Sequence, residues 1–300
     1  MKKKNIITVE NLTKIFGSRK VLNELSFEVE KGSVMAFLGS NGSGKTTTIR
    51  CLLGIYKPTS GIALINDEPY SSKLSNLIGY LPEERGLYKD VTVEELFRYF
   101  FELRGIDSKA ADKSIHEYLE RVGLLDHISK KTQHLSAGMQ QKVQIGLCIL
   151  HNPEVLILDE PFNKLDPINR DLFMGIFKDL NKNGTTILYS THIIDEAQKL
   201  ADSILIIKDG GKKAYGPLLD VRKSFGKKSI DIEFTGTFPT NDILYTFRAY
   251  HNKAELFPRD GVSIEEILPF LIEKKLKILN FALDYPTLNE IFIQINNDKT

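Results

Sequence analysis

The feature that most constrains this chain is the stretch Gly39-Ser40-Asn41-Gly42-Ser43-Gly44-Lys45-Thr46-Thr47. It fills every fixed position of G-x-x-x-x-G-K-[ST], a loop whose backbone N–H groups cradle phosphates. Three glycines let the main chain curl closely around an anion. Lys45 supplies a point charge for β- and γ-phosphate oxygens, and the Thr46 hydroxyl is suited to ligating Mg²⁺. Such a loop needs a strand before it and a helix after it, and both are legible. Val34 to Leu38 is a wholly apolar run of the buried parallel-strand type. Thr47 to Leu53 follows as a helix whose N-terminus favours anions, with Gly54 as its stop.

At 300 residues the chain can bury a full core and is expected to hold two domains, one large and one small. Lys and Arg number 40 against 39 Asp and Glu, so no global basic field points to nucleic acid. Cys51 and Cys148 both lie in apolar helical runs and read as small buried hydrophobes, not as a disulfide or metal pair. No run of eighteen apolar residues offers a membrane span. The basic start Met1-Lys2-Lys3-Lys4-Asn5 leads into Ile6-Ile7-Thr8-Val9-Glu10 instead of a long apolar stretch, which argues against a signal peptide. The expected place is the cytoplasm, with work at a membrane only through a partner.

Taken in order, Ile6 to Phe16 and Val21 to Val29 read as strands. In the second, Leu25, Phe27 and Val29 alternate with polar residues. Phe16 opens the connecting turn, where side-chain packing and stacking on a flat base are equally good readings. Lys57 to Gly61 is a turn and Ile62 to Ile65 a strand. Ile78 to Pro82 then leads into the charged segment Glu83-Glu84-Arg85-Gly86. Thr92 to Arg104 and Lys109 to Val122 have helical spacing, and Thr92 to Glu95 forms a capping box. Val93, Leu96, Tyr99, Phe100 and Leu103 are expected on one side of the first helix, and Phe97, Phe100 and Phe101 read as packing. These helices belong to an insert at about 88–150 between strands of a parallel sheet.

Ser136 is the N-cap of a further helix running to Leu150. Val155 to Leu158 is an apolar strand ending in Asp159-Glu160, and Thr185 to Ser190 is another ending in Thr191-His192. Ligands of open α/β sheets gather at the carboxyl ends of strands, so Gly39, Asp159 and His192 are expected to converge. Ser203 to Ile207 with the turn Lys208 to Gly211 is a closing hairpin. Gly216-Pro217 then punctuates the chain. Beyond it Ile230 to Phe234 alternates as a strand, and Ser263-Ile264-Glu265-Glu266 caps a helix. Lys277 to Leu283 is a strand, and Pro286 to Ile293 a last helix. The expected domains are 1–216, a mainly parallel α/β sheet with an antiparallel β subdomain and the helical insert, and 217–300, a small α+β domain.

The ordered set of aromatic turn, phosphate loop, Glu83 segment, Leu135-Ser136-Ala137-Gly138-Met139-Gln140-Gln141, Asp159-Glu160, Leu165-Asp166-Pro167 and Thr191-His192 resembles the ATP-binding subunit of an ABC transporter. The resemblance covers residues 5 to about 216. It implies an ATPase that uses ATP and Mg²⁺, closes head to tail with a second cassette (a homodimer), and drives a multi-span membrane permease from its cytoplasmic side. The tail, centred on Pro286 to Phe292, resembles the small accessory domain of subunits similar to sodium and drug exporters. By the same resemblance, residues 39–47 bind the nucleotide and Phe16 stacks on its base. Thr46, Glu83 and Asp159 serve the metal, Glu160 is the general base, and His192 contacts the γ-phosphate. Ser136 and Gly138 meet the γ-phosphate of the partner cassette's ATP.

Three departures from the family pattern stand out. The signature usually written L-S-G-G-Q reads L-S-A-G-M here, with Ala137 and Met139. Glu83 stands where most members have Gln, which trades an amide donor for a negative charge. Lys164 stands where Gly is usual in the segment before Leu165-Asp166. All phosphate-loop and acidic groups are present, so an active ATPase is expected. A non-transport cassette ATPase or a nucleotide-sensing module is the alternative. One cassette, no heptad run and a neutral charge balance argue against the translation and DNA-repair members.

Overall fold

A computed structural model describes residues 4–84, 86–226 and 229–297, so Arg85 of the charged segment lies outside the described residues. The chain divides into two compact units, 1–217 and 218–300.

The first unit begins with strands β1 (Asn5–Phe16), β2 (Arg19–Glu30) and β3 (Val34–Leu38), followed by helix α1 (Lys45–Leu52). Strands β4 (Ser60–Ile65) and β5 (Ile78–Leu81) lead to the helical insert of α2 (Val93–Leu103), α3 (Ser108–Arg121) and α4 (Ala137–Ile149). Then β6 (Val155–Asp159), α5 (Pro167–Lys182), β7 (Thr186–Thr191) and α6 (Ile194–Leu200) alternate, before the hairpin of β8 (Ser203–Lys208) and β9 (Gly211–Pro217). A six-stranded sheet runs β5-β6-β7-β3-β8-β9, parallel except at the β8–β9 edge. A three-stranded antiparallel sheet, β2-β1-β4, forms the subdomain. Every residue of β3, β6 and β7 is buried. Strand β3 and Val155 to Leu158 of β6 are the unbroken apolar runs such burial favours, while Asp159 and, in β7, Thr186, Ser190 and Thr191 are polar residues buried with them.

Local signals behave as their chemistry dictates. Thr92 Oγ1 accepts from the Glu95 N–H at 3.2 Å, and Glu95 Oε2 accepts from the Thr92 N–H at 2.8 Å, closing the capping box of α2. Gly54 closes α1 at φ +66°, a left-handed position that suits glycine. The face of α2 differs from the sequence expectation. Val93, Leu96, Phe97 and Phe101 are buried, whereas Tyr99 is 46% and Leu103 64% exposed. Steps of three residues fall short of a full turn by roughly 60° each, so the series 93, 96, 99 walks off the buried face. Helix α1 starts two residues earlier than read, and β4 takes in Ser60 and Gly61. Both cysteines are buried and free. No helix among the described residues is long and apolar enough to cross a membrane.

The second unit comprises α7 (Leu218–Ser224), β10 (Ser229–Thr235), β11 (Tyr245–Tyr250), β12 (Lys253–Pro258), α8 (Ile264–Glu273), β13 (Lys277–Asp284) and α9 (Leu288–Asn297). Its strands form an antiparallel sheet ordered β11-β12-β10-β13. Ile230, Ile232 and Phe234 of β10 pack with Tyr245, Leu256, Ile267 and Leu271 in a core of its own. Strands β11 and β12 escape the sequence reading. Helix α9 starts at Leu288 instead of Pro286, behind a capping box in which Thr287 Oγ1 accepts from the Glu290 N–H at 3.2 Å.

Candidate functional site

The central strand β3 delivers Gly39 to the carboxyl edge of the main sheet. A Cβ on Gly39 would stand 2.4 Å from Ser43 Oγ and 2.8 Å from the Ile207 carbonyl oxygen, so only glycine fits. Gly42 at φ +78° and Gly44 at φ +113° take up backbone conformations that L-residues rarely adopt. The loop therefore curls for backbone reasons alone. Lys45, only 6% exposed, donates from Nζ to the carbonyls of Gly39 at 2.8 Å and Ser40 at 3.3 Å. The same ammonium lies 3.5 Å from Glu160 Oε1.

Strands β6 and β7 bring the acidic pair and His192 to the same edge. Asp159 is fully buried, and its Oδ1 accepts from Ser190 Oγ at 2.5 Å. Glu160 is 7% exposed at φ +51°, and its N–H donates to the same Ser190 Oγ at 3.0 Å. His192 Nδ1 stands 2.9 Å from Glu160 Oε2, so both oxygens of this carboxylate face a nitrogen-bearing side chain. Behind them Glu196 is 3% exposed and accepts from Thr191 Oγ1 at 2.6 Å; burial pushes its carboxyl pKa up. Burial first, and the Asp159 charge second, also push the Tyr80 phenol up.

A cleft of about 470 Å³ opens above the loop. Asn41, Gly42, Gly44, Lys45, Thr46 and Thr47 line it, together with Glu83 from the end of β5 and Glu160. Gly39, Ser40, Ser43, Asp159 and His192 stand against this set through the chain and the bonds just given. Two lining residues were missed from the sequence, Arg19 and Val21 at the start of β2. Their place at a hairpin tip ahead of the loop was the available signal. Phe16, of the same hairpin, is not among the lining residues. Its ring is 43% exposed, meets Tyr56 edge-on at 5.3 Å and carries Lys14 Nζ 4.8 Å from its centroid.

Ser136 and Gly138 are not brought to this cleft. Ser136 caps α4, its Oγ accepting from the Met139 N–H at 3.3 Å. Lys164 holds φ +68°, the left-handed region where glycine would be free of strain. For a divalent cation the donor set fits. Asp159 Oδ2 and Ser43 Oγ are buried without a hydrogen-bond partner among the described residues. The oxygens of Thr46, Asp159 and Glu83 are hard ligands of the kind Mg²⁺ prefers.

Fold and site together define an α/β ATPase of the phosphate-loop class. The pattern described as ABC transporter matches residues 22–163, and that described as ATP-binding protein DrrA1-3-like, C-terminal domain, matches residues 216–295. YhaQ of Bacillus subtilis, an uncharacterized ABC transporter ATP-binding protein, is 35% identical over 298 residues, spanning 96% of this chain and 98% of its own. The bacitracin transport ATP-binding protein BcrA of Bacillus licheniformis is 42% identical over 212 residues, 68% of this chain and 67% of its own. A solved ATP-binding subunit of an ABC transporter superposes with a TM-score of 0.69 at 32% identity, over 73% of this chain and 93% of its own. The chain belongs to the ABC transporter family, as an ATP-binding subunit that hydrolyses ATP to power a membrane permease.

Proposed function

We propose that the subunit serves an exporter, works as a homodimer at the cytoplasmic face of the membrane, and uses Mg²⁺ with its ATP. The observation that carries the catalytic reading is the Glu160 carboxylate, buried between Lys45 Nζ at 3.5 Å and His192 Nδ1 at 2.9 Å. A carboxylate fixed between a phosphate-binding lysine and a histidine is placed to take a proton from water attacking a γ-phosphate. Lys45 and the loop N–H groups hold the phosphates, and His192 orients the base and meets the γ-phosphate. Phe16 offers a half-exposed ring for the nucleotide base. Thr46, Asp159 and Glu83 hold Mg²⁺, which when bound neutralises phosphate charge and polarises the phosphoryl group.

Ser136 and Gly138 sit at the N-terminus of α4, where backbone N–H groups and the helix dipole favour an anion. Lying away from the chain's own loop, they serve the γ-phosphate held by a second copy. Similarity to BcrA, a bacitracin transport protein, supports export. Residues 217–300 act as an accessory domain of the dimer or of permease pairing. The test is Glu160→Gln. Turnover is expected to fall roughly a hundredfold or more while ATP binding persists. Gel filtration with ATP and Mg²⁺ is expected to show a stable dimer. A variant that turns over at the wild-type rate would remove Glu160 from its role, and one that stays monomeric at high ATP would count against the two-copy site.

A further inference from the structure

We propose that Ser190 is a positioning residue that sets both acidic residues of the site through one shared hydroxyl. The inference rests on the roles given above to Asp159 and Glu160. Ser190 on β7 is the register partner of Asp159 on β6, and it is fully buried. Its Oγ donates to Asp159 Oδ1 at 2.5 Å and accepts from the Glu160 N–H at 3.0 Å. A hydroxyl has a single proton and can accept as well. With that proton committed to a carboxylate, the oxygen faces the amide, so the two bonds form together in one orientation.

Three consequences follow for the site. The bond to Oδ1 turns Asp159 so that Oδ2 is the oxygen without a partner among the described residues, the one open to a cation. The bond to the Glu160 N–H holds the backbone at φ +51°, a region costly for any residue with a Cβ. That backbone conformation aims the Glu160 side chain. His192, two residues beyond Ser190, returns from the same strand end to Glu160 Oε2 at 2.9 Å. The base is therefore held from β7 at its main chain by Ser190 and at its carboxylate by His192. Without the Ser190 hydroxyl, Asp159 would carry two buried oxygens lacking donors among the described residues, and the Glu160 amide would lose this acceptor.

The experiment compares Ser190→Ala, Ser190→Cys and Ser190→Thr in the full chain. It measures ATP affinity, kcat, melting temperature, and binding of Mn²⁺ to the ATP complex by its electron paramagnetic resonance signal. The alanine and cysteine variants are expected to lose roughly ten- to a hundredfold in kcat, the scale of a lost hydrogen bond to a charged group. ATP affinity should stay within roughly threefold, because the phosphate loop is untouched, while Mn²⁺ affinity falls. Threonine, which keeps the hydroxyl, should restore kcat and Mn²⁺ binding above the alanine level. If the alanine variant does not fold, the near-isosteric cysteine decides by the same readouts. A folded Ala or Cys variant with wild-type kcat and Mn²⁺ affinity would overturn the inference, as would threonine no better than alanine. Wild-type turnover in Glu160→Gln would instead sink the assigned roles; an inactive Glu160→Gln beside a fully active Ser190→Cys would sink the Ser190 inference alone.

Discussion

Lys45 Nζ lies 3.5 Å from Glu160 Oε1, and both side chains are buried, so the cation proposed to bind phosphate and the anion proposed to activate water are each other's counter-ion. Removing either one leaves the other charged in a poorly solvated place. Lys45→Ala is expected to lower ATP affinity by roughly tenfold or more and also to lower the melting temperature, because it strands Glu160. In the double variant Lys45→Ala, Glu160→Gln the stability loss should be smaller than the sum of the two single losses. Calorimetric titration and thermal denaturation check both; strict additivity would show that the pair is not energetically coupled.

The phosphate loop and helix α5 give opposite outcomes for the same substitution. Gly39→Ala forces a methyl within 2.8 Å of the Ile207 carbonyl and within 2.4 Å of Ser43 Oγ, and should abolish tight ATP binding. Gly175→Ala meets nothing within 4 Å in the interior of α5. It should raise stability by about 0.5–1 kcal/mol through helix propensity and a less flexible unfolded chain. Nucleotide titration and urea denaturation of the two variants supply the test.

Phe16→Ala is expected to weaken ATP and GTP by similar factors, roughly tenfold, since a ring face accepts any base. Affinity unchanged in a folded variant would leave Phe16 with its contacts to Tyr56 and Lys14 alone.

Acid should act through His151, which lies just beyond the end of α4 and bonds to the first residue of β5. Burial, with a smaller push from Arg104, lowers its pKa from 6.5 to about 4, against a small opposing effect of its bond to the Ile78 carbonyl. The unfolded chain then takes up this proton before the folded one. The stability contributed by neutral His151 is complete above about pH 6.5 and is lost as pH falls toward about 4. The stability gap between wild type and His151→Gln should therefore shrink across that window, measured by urea midpoints. A gap independent of pH would exclude the histidine as the source.

A chain ending at Pro217 should fold and bind ATP, since the residues lining the candidate cleft lie within residues 1–217. Comparing ATP affinity and membrane recruitment of the long and short chains separates nucleotide binding from any role of the second unit in assembly. A folded short chain that cannot bind ATP would refute this division.

The legible parts of the molecule were those where a few neighbouring residues carry the whole signal. The loop at Gly39 and the acids after Leu158 needed no knowledge of distant partners. Ser190 was not legible as a site residue, because its meaning comes from lying opposite Asp159 on another strand. Strand β11 was missed although Tyr245 and Phe247 alternate with Thr246 and Arg248, because that alternation spans only four residues before the exposed Ala249 and Tyr250. The mistaken face of α2 arose because its apolar arc is wide, with Glu94, Glu95, Arg98 and Glu102 gathered on the opposite side, and only packing decides which part of that arc faces inward.

Strand β3 has its two neighbours in β7 and β8, with Val34 beside Ile187 and Met35 beside Ser203. None of the described residues between the phosphate loop and Thr186 supplies it with a ladder. During synthesis this five-residue apolar strand must wait, unpaired, until most of the first unit has left the ribosome. A nascent chain cut short of residue 186 is expected to expose that apolar edge and to bind ATP poorly. Acquisition of ATP binding is thus a late event that reports closure of the whole sheet, and shielding β3 in the interval is a natural task for chaperones.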